Sequence, residues 1–590
     1  MRHRHTLLVA TAGLLMLLAT RGAEPAAERE PVLSFGVIGM AGGAVQALAG
    51  YGDELGVRVT HLTAEQFRTD PLPDLSRFDA LLTFFASGDL REQYRRAITA
   101  ARTKKPALRV FCVGPPAVFQ AWAGWVGEAN LVNDARLAAY YGMSRESMRD
   151  LLRYALVAHF ERPGEVPPPG AGKVVRIHHP DYGEPDDLDT FLAAAAAAGW
   201  DTTHCPRVAL GSWRHHVLFH QPQVIDGLIR ELAGRGILAV CLVADDAGFR
   251  ERLKRFRPDL VIMTSHTQEP VEFWQELGVP RLHALWFTGE SIDQWRSSDQ
   301  TGMAKSAIFH QITAAELKGA TECLTAGGTR SGGDSGEEIL PIPDRIRRLG
   351  GRTAAWIALA RQEPAARRLA IVVYDRDADK AGLLSGPAHN LNAPRSLLKL
   401  LAALQEAGYG LRGLPADEAE LLQRLVEHGR QMGAWEPGAL DRLATSGKAV
   451  LVPEEQYRAW FEESVPAWRR DQVVKQWGPP PGDIMVWAHD GKRFLVLPGV
   501  DLGSVRLLTQ PLKGETITAS LQKEDPDESL LPPTHHFLAT YLWIQREFHA
   551  SALLHFGSHG SEWLFPGKQA VLSAADWSDI LLGDLPNVNP

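Results

Sequence analysis

The sequence predicts a multi-domain α/β protein of repeated βαβ units, its parallel sheets covered by helices. Three observations carry this. The chain has 590 residues, more than one hydrophobic core organises. Its strand-length apolar runs, such as "ALRVFCVG" (107–114) and "ILAVCLVAD" (237–245), are near-continuous, as strands buried on both faces are. Amphipathic helical stretches separate them, the alternation that produces parallel sheets.

The first domain is expected over 30–162. "VLSFGVIGM" (32–40), "FDALLTFF" (78–85) and 107–114 read as strands, with "DLREQYRRAITAARTKK" as a helix between the last two. The linker "ERPGEVPPPGAGK" is marked by its prolines and glycines. A second α/β domain is expected over 173–326, with strands at 173–179, 207–213, 237–245 and 259–266 and helices at "QPQVIDGLIRELAGRG" and "FRERLKRFRP". Glycine-rich 327–338 reads as a mobile insertion. A third region, 368–590, opens with the strand "LAIVVYD" and helices at 393–409 and "ADEAELLQRLVEHGRQMG".

Composition excludes several classes. A net charge of −8 with no long basic run argues against nucleic acid as partner. None of the Gly-Lys pairs, at Gly172, Gly447, Gly491 and Gly567, is followed by Ser or Thr, so no P-loop and no ATP site is expected on this chain. The four cysteines form no C-x-x-C, which excludes a zinc ribbon; Cys112 and Cys241 lie in apolar strands as small buried hydrophobes. The start has basic residues and an apolar run from Leu7 to Ala19, shaped like a secretory signal and short for a membrane span. Residues 1–23 are therefore expected to be a signal peptide or signal anchor. That places the protein in the periplasm or on the membrane facing it, and in the cytoplasm if the run is no signal.

Chemistry concentrates at the carboxy-terminal end. Of 21 histidines, three pairs are adjacent, His178-His179, His215-His216 and His535-His536. In "LPPTHHFLATYLWIQREFHASALLHFGSHGSEWLFPGKQ", two prolines and the N-cap Thr534 start a helix. Phe537, Tyr541, Ile544 and Phe548 form its buried face, and "SALLHF" is a buried strand. The glycines beyond make "HFGSHG" a strand end and loop, with His555 at the end of the strand and His559 in the loop. Ligands bind at the carboxyl ends of parallel strands; histidines there are also met as structural groups bonded to backbone. The sequence leaves both open, as it does which end of the strand the helix start with His535 and His536 approaches.

This segment resembles the signature of the cobaltochelatase large subunit (CobN type), a relative of the large H-type subunit of magnesium chelatase. That signature reads H-x-G-x-H-G, an acidic–aromatic pair, then Pro-Gly-Lys. "LAIVVYDRDADKAG", "APRSLLKLLAALQEAGY", "LGSVRLLTQPLKG" and "GDLPNVNP" are similar to further family segments in the same order. One departure is that the family's glutamate stands one residue later, where Trp563 is found here, with Glu562 before it.

The resemblance implies a tetrapyrrole-binding subunit that inserts a metal into, or removes it from, a porphyrin or corrin. The divalent metal (cobalt, iron or magnesium) and the tetrapyrrole would be its substrates. It implies His555, His559 and Glu562 as catalytic groups, the two histidines holding the metal. His535, His536, Lys568, Lys380 and Arg506 would bind the macrocycle. Neutral imidazoles and a carboxylate suit both tasks, transient metal ligation and proton transfer near pH 7. The family region continues beyond the equivalent of Pro590, so a partner chain supplying that part is expected, or an ATP-driven motor subunit. Export tilts the reading to haem and to metal removal; a non-catalytic haem carrier in uptake is the alternative.

Overall fold

The computed structural model describes residues 32–86, 88–142, 144–170, 174–267, 269–299, 303, 305–330, 338–373, 392–431, 438–512, 531–557 and 565–589. The expected leader 1–23, Lys380, His559 and Glu562 lie outside the described residues. Two compact units form. One holds residues up to Met40, Val45–Ala138 and Arg149–Val166; the other holds Pro167–Pro590 with Ala41–Ala44 and Ala139–Met148.

The first unit carries a sheet of β1 (Leu33–Ile38), β2 (Val57–Leu62), β3 (Ala80–Thr83) and β4 (Arg109–Cys112). The order is β2-β1-β3-β4, all parallel. Helix Arg91–Lys104 buries Tyr94, Ala97, Ile98 and Ala101, the helical spacing expected of one apolar face. Trp122, fully buried, donates its indole N–H to the Phe84 carbonyl at 2.7 Å, which satisfies the polar end of a large core side chain.

In the second unit, β5 (Ile177–His178), β6 (Arg207–Ser212), β7 (Leu238–Val243), β8 (Leu260–Met263), β9 (Arg281–Ser291), β10 (Glu322–Arg330) and β11 (Glu338–Pro341) form one sheet, ordered β11-β10-β9-β8-β6-β7-β5. The five inner strands are parallel; β5 and β11 pair antiparallel at its edges. The chain passes from β6 to β7 on one side and then to β8 on the other, so the carboxyl ends of β6 and β8 flank the point where strand order reverses.

β12 (Leu369–Val373), β13 (Val450–Pro453), β14 (Val486–His489), β15 (Lys492–Leu497), β16 (Val500–Asp501), β17 (Val505–Thr509), β18 (Ala552–Phe556) and β19 (Asn587–Val588) make two further sheets. The larger, β16-β17-β12-β18-β19, is parallel except for β16. The smaller, β13-β15-β14, is antiparallel.

The α/β class with parallel sheets holds, and antiparallel elements are added at sheet edges and in the small β13-β15-β14 sheet. Residues 327–338 need correction. Gly327–Arg330 belong to β10 and Glu338 opens β11, while 331–337 lie outside the described residues. The glycines there serve packing: a Cβ on Gly328 would stand 2.3 Å from the Phe287 ring, and one on Gly327 would meet Val224 at 2.7 Å. Cys112 and Cys241 are buried as expected, and all four cysteines are unpaired.

Helix Pro343–Arg361 packs between the seven-stranded sheet and the segment before β19. Buried Arg345 meets Asp579 at 2.8 Å, Arg348 contacts Asp579 and Asp584, and buried Arg352 pairs with Glu322. Gly351 makes room for this, since a Cβ there would lie 2.1 Å from the Asp584 carboxylate. A mid-helix glycine is about 1 kcal/mol worse than alanine; here the approach of the carboxylate requires it.

Candidate functional site

Strands β17, β12 and β18 lie side by side and parallel, and end level with one another at Thr509, Val373 and Phe556. His555 occupies the next-to-last position of β18, beside Val372. It is buried, 2% exposed. Its Nε2 is 2.9 Å from the Tyr541 hydroxyl and its Nδ1 3.0 Å from Asn587 Oδ1. With the Asn587 side-chain oxygen accepting, His555 donates from Nδ1 and accepts the Tyr541 proton at Nε2. In that tautomer the Nε2 lone pair is engaged, so a metal at Nε2 must displace the tyrosine hydroxyl.

The preceding helix, His535–Arg546, starts as expected: the Thr534 side chain accepts from Phe537 N–H. Phe537 packs on Phe565 at 4.9 Å, and Tyr541 reaches His555, so the helix runs back along β18 with its start toward the strand's carboxyl end. His535 and His536 nevertheless face other partners. His535 bonds the Tyr457 hydroxyl at 2.8 Å through Nδ1 and the Gly478 carbonyl at 2.9 Å through Nε2. His536 donates from Nε2 to the Val496 carbonyl of β15 at 3.0 Å, and burial pushes its pKa down to about 4. Its Nδ1 has no partner among the described residues.

The two described cations expected to bind a macrocycle are both buried. Lys568 Nζ contacts the Ser298 carbonyl and lies 3.9 Å from Asp576 and 5.5 Å from the Trp295 ring centre. It lines a cleft of about 260 Å³ with Arg296, Asp299 and Arg469. Arg506 pairs with Asp501 at 3.3 Å and donates to the Lys448 carbonyl at 3.1 Å, while its Nε has no partner among the described residues. Burial lowers its pKa. Neither is a solvated surface charge. Lys380, His559 and Glu562 lie outside the described residues.

A second cluster stands at the reversal point of the seven-stranded sheet. The turn His216–His220 follows β6, Thr264 to His266 follow β8, and Trp286 reaches over from β9. Ring centres link Trp213 to His266 at 4.2 Å and to His216 at 5.5 Å, His216 to His220 at 5.0 Å, and His220 to Trp286 at 4.7 Å. Trp286 Nε1 and the fully buried Gln221 both donate to the Thr264 carbonyl, at 3.1 Å each. Gln221 also contacts His216 Nδ1 at 3.3 Å. Burial pushes His220 down to about 4 and holds His216 well below the ordinary imidazole value. His220 and His266 make no side-chain hydrogen bond with any described residue. The adjacent His215-His216 and the following His220, just after a predicted strand, were the available signal in the sequence.

Among the described residues, no three His, Cys, Asp or Glu side chains are placed to hold a metal ion together. No helix among them is long and apolar enough to cross a membrane.

Comparison with known proteins supplies the kinship. Residues 138–590 match the family model "CobN/Magnesium Chelatase". The aerobic cobaltochelatase subunit CobN of Pseudomonas aeruginosa is 35% identical over 236 residues, 40% of this chain and 18% of that protein. The H-type magnesium-chelatase subunit of Chlorobaculum parvum is 26% identical over 472 residues, 75% of this chain and 34% of that protein. The solved catalytic subunit of cobaltochelatase from Mycobacterium tuberculosis superposes with a TM-score of 0.62 at 22% identity, covering 95% of this chain and 46% of its own. The chain thus spans less than half the length of these relatives. With the model matched over residues 138–590, the chain belongs to the CobN/magnesium chelatase family.

Proposed function

We propose that this chain is a chelatase subunit that binds a tetrapyrrole and moves a divalent metal into or out of it, acting on haem outside the cytoplasm in the direction of metal removal. The family match over residues 138–590 is the observation that carries the reading. The apolar run Leu7–Ala19 supports export. An exported chain is separated from cytoplasmic ATP, and removal driven by protonation needs none.

Removing the metal requires two protons for the pyrrole nitrogens and a receiver for the departing cation. The Asn587–His555–Tyr541 chain suits proton handling. A proton taken up from solvent at His555 Nε2 is handed to the Tyr541 oxygen as that hydroxyl releases its own proton toward a pyrrole nitrogen, which returns His555 to neutral with Nδ1–H still bonded to Asn587. His559 and Glu562, three and six residues beyond Phe556 in the chain, are the groups we assign to receiving the metal, with His555 as their anchor on β18. Lys568 and Arg506, each partly committed to its own carboxylate, are assigned to the macrocycle's carboxylates. A further chain, supplying what the longer relatives carry beyond this region or an ATP-driven motor, is assigned as partner.

The test is an anaerobic absorbance titration with haem and with metal-free porphyrin, followed over hours for wild type and a His559→Ala/Glu562→Ala variant. Expected is slow conversion of haem to metal-free porphyrin that the variant loses by at least tenfold. Binding without conversion by the wild type would refute catalysis and leave a carrier.

A further inference from the structure

We propose that the imidazole–indole cluster at the carboxyl ends of β6 and β8 is a binding site for a metallated tetrapyrrole, held through imidazole ligation of its metal. His220 and His266 are the side chains the site offers to the metal; Trp213 and Trp286 are those it offers to the ring. This rests on the tetrapyrrole reading above and concerns a different sheet from His555.

The position favours a ligand. β6 and β8 flank the point where strand order reverses, and open α/β sheets bind ligands outside the carboxyl ends of strands at such a point. The groups there come from three places in the chain, 213–221, 264–266 and 286, and the fold brings their rings together within 4.2 to 5.5 Å.

The chemistry narrows the class. The contacts within this cluster are aromatic rings and neutral polar groups, with no carboxylate among them. A bare divalent cation asks for three or four protein ligands, and the described residues contain no such group. Imidazoles unsupported by further ligands match a metal that brings its own equatorial donors and lacks only an axial one, as the metal of a porphyrin or corrin does. The flat π-faces of such a ring are what indoles pack against.

The site is also preorganised. Trp286 is fixed by its bond to the Thr264 carbonyl, and Thr264 Oγ1 donates to Ser212 Oγ at 2.7 Å, tying the ends of β8 and β6 together. His216 is oriented by Gln221, whereas His220 and His266 are not hydrogen-bonded by any described residue. Fully buried Gln221 leaves its Oε1 without a partner among the described residues, and so does the buried Ser265 hydroxyl beside His266. Such buried polar atoms are groups whose bonding a ligand or an ordered water completes.

The experiment uses the full chain, titrated with ferric protoporphyrin IX and with metal-free protoporphyrin IX, and read by absorbance and electron paramagnetic resonance. Wild type is expected to give an imidazole-ligated ferric spectrum. A His220→Ala/His266→Ala variant should lose that spectrum and bind the iron porphyrin at least tenfold more weakly, with its affinity for the metal-free ring unchanged. Added imidazole should restore the ligated spectrum in porphyrin that co-elutes with the variant on gel filtration, which a misfolded variant would not do. A His220→Gln/His266→Gln variant repeats the loss without opening a cavity. The same ligated spectrum in wild type and both variants would overturn the proposal, as would equal loss of the metal-free ring. Conversion of the macrocycle with unchanged spectra would sink this site and keep the chelatase reading. A ligated spectrum that depends on His220 and His266, without conversion, would do the reverse.

Discussion

Two sheet edges in the second unit carry histidine at the end of a parallel strand, and they use it in opposite ways. At β18, His555 is closed between Tyr541 and Asn587, with both ring nitrogens engaged. Beyond β6 and β8, His220 and His266 stand among rings with no hydrogen bond to a described residue. The same residue type at the same topological position is closed between two hydrogen-bond partners in one sheet and stands among aromatic rings in the other. Location at a carboxyl edge therefore nominates a site, while the state of each ring nitrogen says what the imidazole can do.

The sharpest way to break this contrast is by truncation. His555→Ala strands the buried Tyr541 hydroxyl and opens a cavity, so a loss of about 2–4 kcal/mol is expected. His220→Ala and His266→Ala leave no hydrogen-bond partner stranded among the described residues but give up their ring contacts, so each should cost less, about 1–2 kcal/mol for His220 and less for His266. Urea unfolding of the three variants measures both, and equal losses would erase the distinction.

Acid probes what the two regions share. Folding lowers the pKa of His536 from 6.5 to about 4 and that of His283, on β9, to about 3, in both cases through burial. Each binds fewer protons folded than unfolded, so its contribution is whole above pH 6.5 and shrinks as pH falls toward the folded value. Each such histidine contributes a slope of up to about 1.4 kcal/mol per pH unit in that window. The thermal midpoint should be level above pH 7 and fall steadily below 6.5; a level midpoint down to pH 5 would contradict burial of these rings.

A small effect is expected from Tyr541→Phe, about 1 kcal/mol, because the hydrogen bond to His555 is lost while the ring stays packed on Phe537. Its use lies in chemistry: the freed Nε2 should become a better metal ligand, seen as tighter cobalt(II) binding by the variant than by wild type.

Much of this architecture was legible in the sequence. Runs such as "ILAVCLVAD" gave buried parallel strands because burial on both faces leaves no polar position. Thr534 gave a helix start because its hydroxyl caps the first turn. The antiparallel β13-β15-β14 sheet escaped because its strands are short and half-exposed, so periodicity could not separate them from loops. At the site, the strand end of His555 was readable, and its closure by Tyr541 and Asn587 was not. Asn587 is 32 residues downstream, a contact set by β18–β19 pairing and by no local pattern. His535 and His536 were expected to bind the macrocycle; in the fold they bond Tyr457 and Val496, 78 and 40 residues upstream, contacts no local pattern announces. The cluster around His216 was signalled only by the adjacent His215-His216 and by His220, since Trp213, His266 and Trp286 meet only once strand order is fixed.

The glycine at position 351 reaches beyond packing. It admits the Asp584 carboxylate to a helix whose arginines also grip Glu322 and Asp579, so residues from either side of that helix share one charged seam. Evolution can trade domains freely where a linker joins them. A seam of this kind is a weld: a recombination breakpoint inside it would leave buried arginines facing the wrong neighbours. The region from β6 to β19 is accordingly expected to pass between relatives as a single heritable block.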